Sequence, residues 1–405
     1  MNQKTMKKIF RDTAFVRTGG SAEELRAAEY LRSACAAFGG EAYLEPFEVD
    51  MATVEHAVLL ADGKEIPCKG YFVAGSGEVE APLYYLTESD KHSLAQCRGK
   101  IVLLDGYLGF ARYRDLVDNG AVGFITYDGN VIWNHRDIDQ RELRSYIANG
   151  DKMPGVNINV NDAVALVRDG VKTVRIELRQ NEYKGNSHNV ILDLPGTDDE
   201  YIVLTAHYDS TSLSQGAYDN MSGCVGLLEI AEYFSSHPHK RGLRFVWCGS
   251  EERGLLGSKA YCNAHEEDLK KAVLNVNLDM IGCIMGKFIA CCTAENRLVD
   301  YIAYMGNEYG FQIKSYQDIY SSDSTPFADH GVPAVSFARV SPREAATIHN
   351  RYDTMASMSM AQMKKDSEFI IAFVSRMANA AFCPVSREIP ADIKEKLDKY
   401  LCRKR

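Results

Sequence analysis

From residue 188 onward the chain repeats one pattern, a largely apolar strand followed by a helix. The strand "YIVLTAHYD" (201–209) leads to a helical stretch from Ser222 to about Phe234. "LRFVWCGSEE" (243–252) precedes a second helix near Ser258, and "AVLNVNLDMIG" (272–282) follows. A half-exposed strand alternates apolar and polar residues, because successive side chains point to opposite faces. These strands do not alternate, so both of their faces must be covered. That condition predicts an α/β fold with a mostly parallel sheet between two layers of helices. In such sheets the ligand site lies beyond the carboxyl ends of the strands.

The 405 residues together exceed what a single core usually serves. Residues 21–38 show the apolar spacing of an amphipathic helix with Ser21 and Glu24 as a capping box. Gly39-Gly40 ends it, and "EAYLEPFEVD" reads as a strand. Residues 51–183 differ, with short β-like runs punctuated by Gly and Pro: "GKIVLLDG" (99–106), "GAVGFITYDG" (120–129) and "PGVNINVNDAVALVRDG" (154–170). This gives one discontinuous domain, 1–50 with 184–405, and a β-rich insert at 51–183 that serves packing or substrate gating. The final "IPADIKEKLDKYLCRKR" reads as a charged, solvated helix. No internal repeat or low-complexity tract interrupts this order.

Charge and cysteine use restrict the partners. Lys and Arg total 46 against 55 Asp and Glu, a net charge of -9, which offers no general attraction to nucleic acid or anionic lipid. No run reaches the roughly 18 apolar residues of a membrane span. Lys4, Lys7, Lys8 and Arg11 are followed by Asp12, Arg17 and Thr18-Gly19-Gly20, where a secretory leader needs an apolar segment. Eleven cysteines, an odd number without a CxxC pair, point to reduced thiols and a cytoplasmic location.

The predicted strand ends carry a specific set of side chains. His207 and Asp209 close one strand, Glu251 and Glu252 follow another, and Asp279 ends a third. Residues i and i+2 share a strand face, so Asp209 is placed to orient His207. Asp219 opens the turn before the Ser222 helix, as a cap or as a ligand. Any one of these is commonly a turn or surface residue. Gathered at one sheet edge, the carboxylates would repel unless cations lay among them. Imidazole and carboxylate donors without thiolate are typical of catalytic zinc, and a shared carboxylate suits two ions. The second imidazole comes from His188, His237, His239, His265, His330 or His349, with His349 at a suitable late strand-to-loop position. No Gly-x-Ser-x-Gly elbow and no Cys-His pair offers a rival nucleophile. Tyr320 and Arg339 are read as a packing residue and a strand-end surface charge, with oxyanion or substrate contact as their functional alternatives.

As a group, "HYDS", "AYDNMSG", "SEERGLLGS", "NLDMIG", "SSDSTPFADHGVPAVSF" and "IHNRYDT" resemble the co-catalytic zinc aminopeptidase family, which includes glutamate carboxypeptidases and glutaminyl cyclases. The resemblance covers 188 to about 355, and 51–183 is similar to the protease-associated domain carried by some members. It implies an exopeptidase, above all an aminopeptidase acting on peptides, with two zinc ions. Asp219 would bridge them, His207 and Glu252 would hold one, Asp279 and His349 the other. Glu251 would be the general base, Asp209 the partner of His207, and the Asp219-Asn220 peptide would be cis. The other activities within the family are a carboxypeptidase of acyl-glutamates or dipeptides and a single-zinc cyclase; a silent binding protein, like the transferrin receptor, is the third class. Ser324 stands where the family often has His, which leaves any substrate contact there open.

Overall fold

The computed structural model describes residues 1–104 and 108–404; Asp105 and Gly106 of the "GKIVLLDG" run lie outside the described residues. The chain divides into two units, Met1–Val49 with Asn186–Leu401, and Asp50–Gly185, to which residues 402–404 also belong.

The first unit begins with helices α1 (Gln3–Thr13) and α2 (Ala22–Ala36), and strand β1 (Thr173–Leu194) enters it through its last residues. Then follow β2 (Tyr201–His207), α3 (Ser222–Phe234), β3 (Gly242–Cys248), α4 (Leu256–Ala264) and β4 (Ala272–Leu278). The series ends with β5 (Lys287–Thr293), α5 (Asn296–Glu308), β6 (Lys314–Gln317), α6 (Ser324–Asp329), β7 (Ala334–Val340), α7 (Met360–Asn379) and α8 (Ala391–Tyr400). In this unit the strands lie in the order β6-β5-β7-β4-β2-β3-β1. The central four, β3, β2, β4 and β7, are mutually parallel. They are flanked by β1 and β5, each antiparallel to its neighbour.

Side-chain parity shows why the central strands are apolar on both faces over most of their length. Ile202, Leu204 and Ala206 join a core with α1, α2, α3 and α7, whereas Tyr201 and Val203 pack on the opposite face with Tyr261, Cys262 and Phe327. Phe245 and Trp247 divide from Val246 and Cys248 in the same way. Each fully buried Ile or Leu contributes roughly 1.5–3 kcal/mol of transfer free energy, so a polar residue on either face would be costly. Polar residues do occur on one face near the carboxyl ends, and they satisfy one another. The Thr205 hydroxyl donates to Asn277 Oδ1 (2.8 Å), Asn277 Nδ2 to Ser322 Oγ (3.0 Å), and Ser336 Oγ to Ser324 Oγ (2.8 Å).

The helix read at residues 21–38 is α2, and the Ser21 hydroxyl accepts from Glu24 N as a cap should. α8 differs from the solvated helix predicted at the end of the chain, because Ile393 and Leu397 are buried against Ile389, Ala328 and Ala334. The charged residues of that segment hide a two-residue apolar stripe.

The second unit has its own core and its own sheet. Gly77–Leu86, Ile101–Leu104, Gly123–Asp128 and Gly155–Asn159 are parallel neighbours, and Cys68–Gly70 closes one edge antiparallel. It contains more helix than its sequence suggests. The run 154–170 is a strand only to Asn159 and then the helix Val160–Arg168, whose Ala163 and Leu166 reach the core. A short apolar run does not by itself separate strand from helix. No helix among the described residues is long and apolar enough to cross a membrane, and all eleven cysteines are free.

Candidate metal centre

The register of the central strands assembles the site. Cys248 of β3 pairs with His207 of β2, and Asn277 of β4 pairs with Thr205. Asp279, two residues past Asn277, therefore stands level with His207, two residues past Thr205. Three turns at the strand ends use left-handed backbone at non-glycine residues, with φ of 53° at Ser250, 64° at Met280 and 60° at His349. Such conformations persist where the surroundings over-determine them, commonly at functional sites. Asp219 lies in the turn 217–221 before α3, and its peptide to Asn220 is cis. Asn220 ties that turn to the end of β4: its Nδ2 donates to Leu278 O (2.9 Å), and its Oδ1 accepts from Met280 N (3.0 Å) and Gly223 N (2.9 Å).

Two groups of donors result. His207, Asp219 and Asp279 form one, and Asp219, Glu252 and His349 the other, with the ligand atoms of each within 4.8 Å of one another. His207 Nε2 lies 3.1 Å from Asp219 Oδ1 and 3.8 Å from Asp279 Oδ1. His349 Nε2 lies 3.0 Å from Asp219 Oδ2 and 3.1 Å from Glu252 Oε1. Asp219 thus offers one oxygen to each group. The pairing differs from the one the resemblance implied: Asp279 belongs with His207, and Glu252 with His349. The β2–β4 register explains it, because it fixes Asp279 beside His207. Glu251, with Oε2 3.9 Å from His207 Nε2, occupies the His207 side from the β3 turn.

Asp209 does more than face the ring of His207, whose Nδ1 is 3.3 Å from its Oδ1. Its two oxygens accept the backbone N–H groups of Glu251 (2.9 Å) and Glu252 (3.1 Å), which locks the turn carrying both glutamates. Asp353, overlooked in the sequence, does the same for the bridging position. It is fully buried and accepts from Tyr218 N (2.7 Å), Asp219 N (3.1 Å) and the Ser214 hydroxyl (3.2 Å). Its only sequence signal was its place four residues after His349.

The charge balance of the site calls for cations. Burial pushes the Glu251 carboxyl well above the usual range; His207 opposes this, while Glu252, Asp323 and Asp279 add to it. Glu252 is raised by burial too, with His349 opposing and Asp219 adding. For His207 burial favours the neutral ring, yet Glu251, Asp209, Asp219 and Asp279 outweigh it and raise the pKa well above the ordinary value. His349 is raised in the same way by Glu252 and Asp219. Asp219 moves down despite its burial, because both imidazoles stabilise its anion. Without metal, protons on the two rings hold the carboxylates together. Divalent ions would supply that positive charge and leave the rings as neutral ligands. Asp279 Oδ1, buried with no hydrogen-bond partner among the described residues, is a further oxygen that such an ion would satisfy.

The other candidates are engaged elsewhere. His237 stacks on Tyr233 with ring centroids 3.8 Å apart, His239 Nδ1 meets Arg241 O, His265 Nε2 meets Glu45, and His330 Nδ1 meets Pro326 O. The His188 ring joins neither donor group. Arg339 is no surface charge, since Asp366, fully buried, pairs with its guanidinium at 2.5 Å. Ser324 is buried in the polar ladder beneath the strand ends. The Tyr320 phenol is partly buried, and its pKa is raised well above the ordinary value by burial, and by the charges of Asp279, Tyr218 and Asp219.

Residues 189–374 match the model of peptidase family M28. That stretch of the chain is similar to this family. An aminopeptidase of Bacillus subtilis, YwaD, is 27% identical over 305 residues, 73% of this chain and 66% of its own length. Leucine aminopeptidase 2 of Trichophyton rubrum is 31% identical over 46% of this chain and 38% of its own. The chain thus spans between about two fifths and two thirds of these relatives. Among solved structures, the aminopeptidase from Aneurinibacillus sp. strain AM-1 superposes with a TM-score of 0.76 at 25% identity, covering 95% of this chain and 96% of its own. BSAP, a zinc aminopeptidase from Bacillus subtilis, shares the fold with a TM-score of 0.78 at 23% identity, covering 96% and 99%.

Proposed function

We propose that this chain is a metal-dependent aminopeptidase that hydrolyses N-terminal residues from peptides at a two-zinc centre. The observation that carries the reading is Asp219, whose two oxygens serve two separate donor groups. His207 and Asp279 would complete one zinc site, Glu252 and His349 the other. Bound there, zinc ions supply Lewis acidity and lower the pKa of water toward neutrality.

The chain's own residues do the rest. Glu251, raised in pKa and not needed as a ligand in either group, takes a proton from the attacking water and returns it to the departing amine. Asp209 holds Glu251 and Glu252 by their backbone N–H groups, so the base and one ligand move as a unit. The Tyr320 phenol, kept protonated by its surroundings, is available to donate to the developing oxyanion. A carboxypeptidase would need a cation for the substrate's terminal carboxylate, but Arg339 is held by Asp366, and Arg17 by the carbonyls of Tyr208, Phe15, Gln215 and Gly216. A single-zinc cyclase would leave the second donor group without purpose.

The unit around residues 51–183 we assign as a protease-associated insert, on the segments "GKIVLLDG" and "NGAVGFITYDG". Eleven free thiols support a cytoplasmic setting. The reading is tested by Glu251→Gln on the zinc-loaded protein with leucine 4-nitroanilide. Turnover should fall about 10²- to 10⁴-fold with metal content unchanged. Undiminished turnover would remove Glu251 as the base.

A further inference from the structure

Two buried charged residues near the amino terminus reach the metal-bearing turns from outside the stretch 189–374. Glu24, on the first turn of α2, does not return its carboxylate to Ser21 N as a capping box would. Its Oε1 instead accepts from Ser250 N (2.7 Å) and the Ser250 hydroxyl (3.0 Å), 226 residues away, and its Oε2 from Gly20 N (2.6 Å). Ser250 is the left-handed residue immediately before Glu251. Arg17 is fully buried, and its guanidinium donates to carbonyls at both ends of the loop between Asp209 and Asp219, those of Tyr208 and Gly216. The backbone of Arg17 also pairs with Ser210, its N donating to the hydroxyl (3.1 Å) and its carbonyl accepting from the amide (3.2 Å). Gly19 lies against the same Ser250 turn so closely that an added Cβ would stand 2.5 Å from Ser250 Oγ and 2.7 Å from Arg253 Cδ.

From these contacts we infer that the segment Arg17–Glu24 is a strap that positions the reacting groups, and that Glu24 is the positioning residue that aims Glu251. Glu24 touches neither donor group. It acts by holding the Ser250 amide and hydroxyl, and so fixes the direction in which the chain leaves β3. Asp209 grips the turn after Ser250 and Glu24 grips it at Ser250, so the base is defined from two sides. A displacement of about 1 Å in a reacting group can lower turnover on the order of 10²-fold, whereas substrate affinity depends on other surfaces. The inference rests on the role assigned to Glu251.

The test uses the full zinc-loaded chain and leucine 4-nitroanilide, with Glu24→Ala, Glu24→Gln, Gly19→Ala and Glu251→Gln assayed beside the wild type. Glu24→Ala should lower kcat about tenfold or more, with KM changed less than about twofold and zinc content intact. Glu24→Gln keeps one oxygen for the two Ser250 donors and should return kcat to within about threefold of wild type. Gly19→Ala, which pushes on the turn without touching Glu24, should lower kcat at unchanged KM, and it carries the test with Glu24→Gln if Glu24→Ala does not fold. The strap is overturned if the folded, zinc-loaded variants keep wild-type kcat, or if their losses appear in KM or zinc content instead. Inactive Glu251→Gln beside active strap variants refutes the strap alone; active Glu251→Gln refutes the assignment of the base.

Discussion

Replacing Asp353 with Ala isolates the support beneath the bridging ligand. Asp353 is fully buried, and its two oxygens accept the backbone N–H groups of Tyr218 and Asp219 at 2.7 and 3.1 Å. Alanine leaves both donors buried without partners. Each costs about 1–3 kcal/mol, so the loss should be about 2–6 kcal/mol, a large fraction of a domain's net stability. Asp353→Asn keeps one acceptor and should lose about half as much. Ser214→Ala removes a hydroxyl that donates to Asp353 and accepts from Gly216 N (2.9 Å), and should cost about 1–3 kcal/mol. The chain has two tryptophans, Trp133 in the second unit and Trp247 buried in the first. In a Trp133→Phe background, urea unfolding followed by fluorescence reports the first unit alone. Because the stranded N–H belongs to Asp219 itself, a competition titration should show zinc affinity falling along with stability. A loss below about 0.5 kcal/mol, the range of an inert surface change, would refute the claim that Asp353 holds the bridging turn.

The metal-free protein should lose stability as pH rises from about 4 to about 8. Burial raises Asp353 and Asp323 to about 6 and Glu24 to about 8, and Glu251, Glu252, His207 and His349 are raised as well. In that window the folded state holds more protons than the unfolded one, so the slope of stability with pH is negative. Within the site Asp219 is lowered, and its contribution is lost only on acidification below the ordinary Asp range; His188, lowered by burial, opposes the slope but is one group against seven. Urea midpoints at pH 5 and pH 8 check the sign, and a flat or rising trend would contradict it. Zinc should restore the midpoint at pH 8. Separately, Asp209→Ala frees the Glu251 and Glu252 amides and should weaken zinc binding about 10- to 100-fold; unchanged affinity by chelator competition would reduce Asp209 to a bystander.

The strand tips were legible because continuous apolar runs announce both the sheet and the end that carries ligands. His207, Asp209, Glu251, Glu252 and Asp279 all follow from locating the ends of β2, β3 and β4. Which carboxylate joins which imidazole was not legible. Glu251 and Glu252 are adjacent in sequence, and their divergence depends on the left-handed Ser250 and on the lateral register of β2 with β4. Tertiary partners hid the rest. Arg339 reads as exposed until Asp366 is brought to it from α7, and Glu24 reads as half of a capping box until Ser250 arrives from 226 residues away. Asp353 had only its place four residues after His349 to mark it; its role exists only once Tyr218 and Asp219 present their amides.

Paired cations sharing Asp219 are what the proposed activity requires, and an anomalous-difference map from zinc-loaded crystals at the zinc edge tests this directly. Two peaks are expected, one among His207, Asp219 and Asp279 and the other among Asp219, Glu252 and His349, roughly 3.5–4 Å apart. A single peak, or none, at full loading would contradict it.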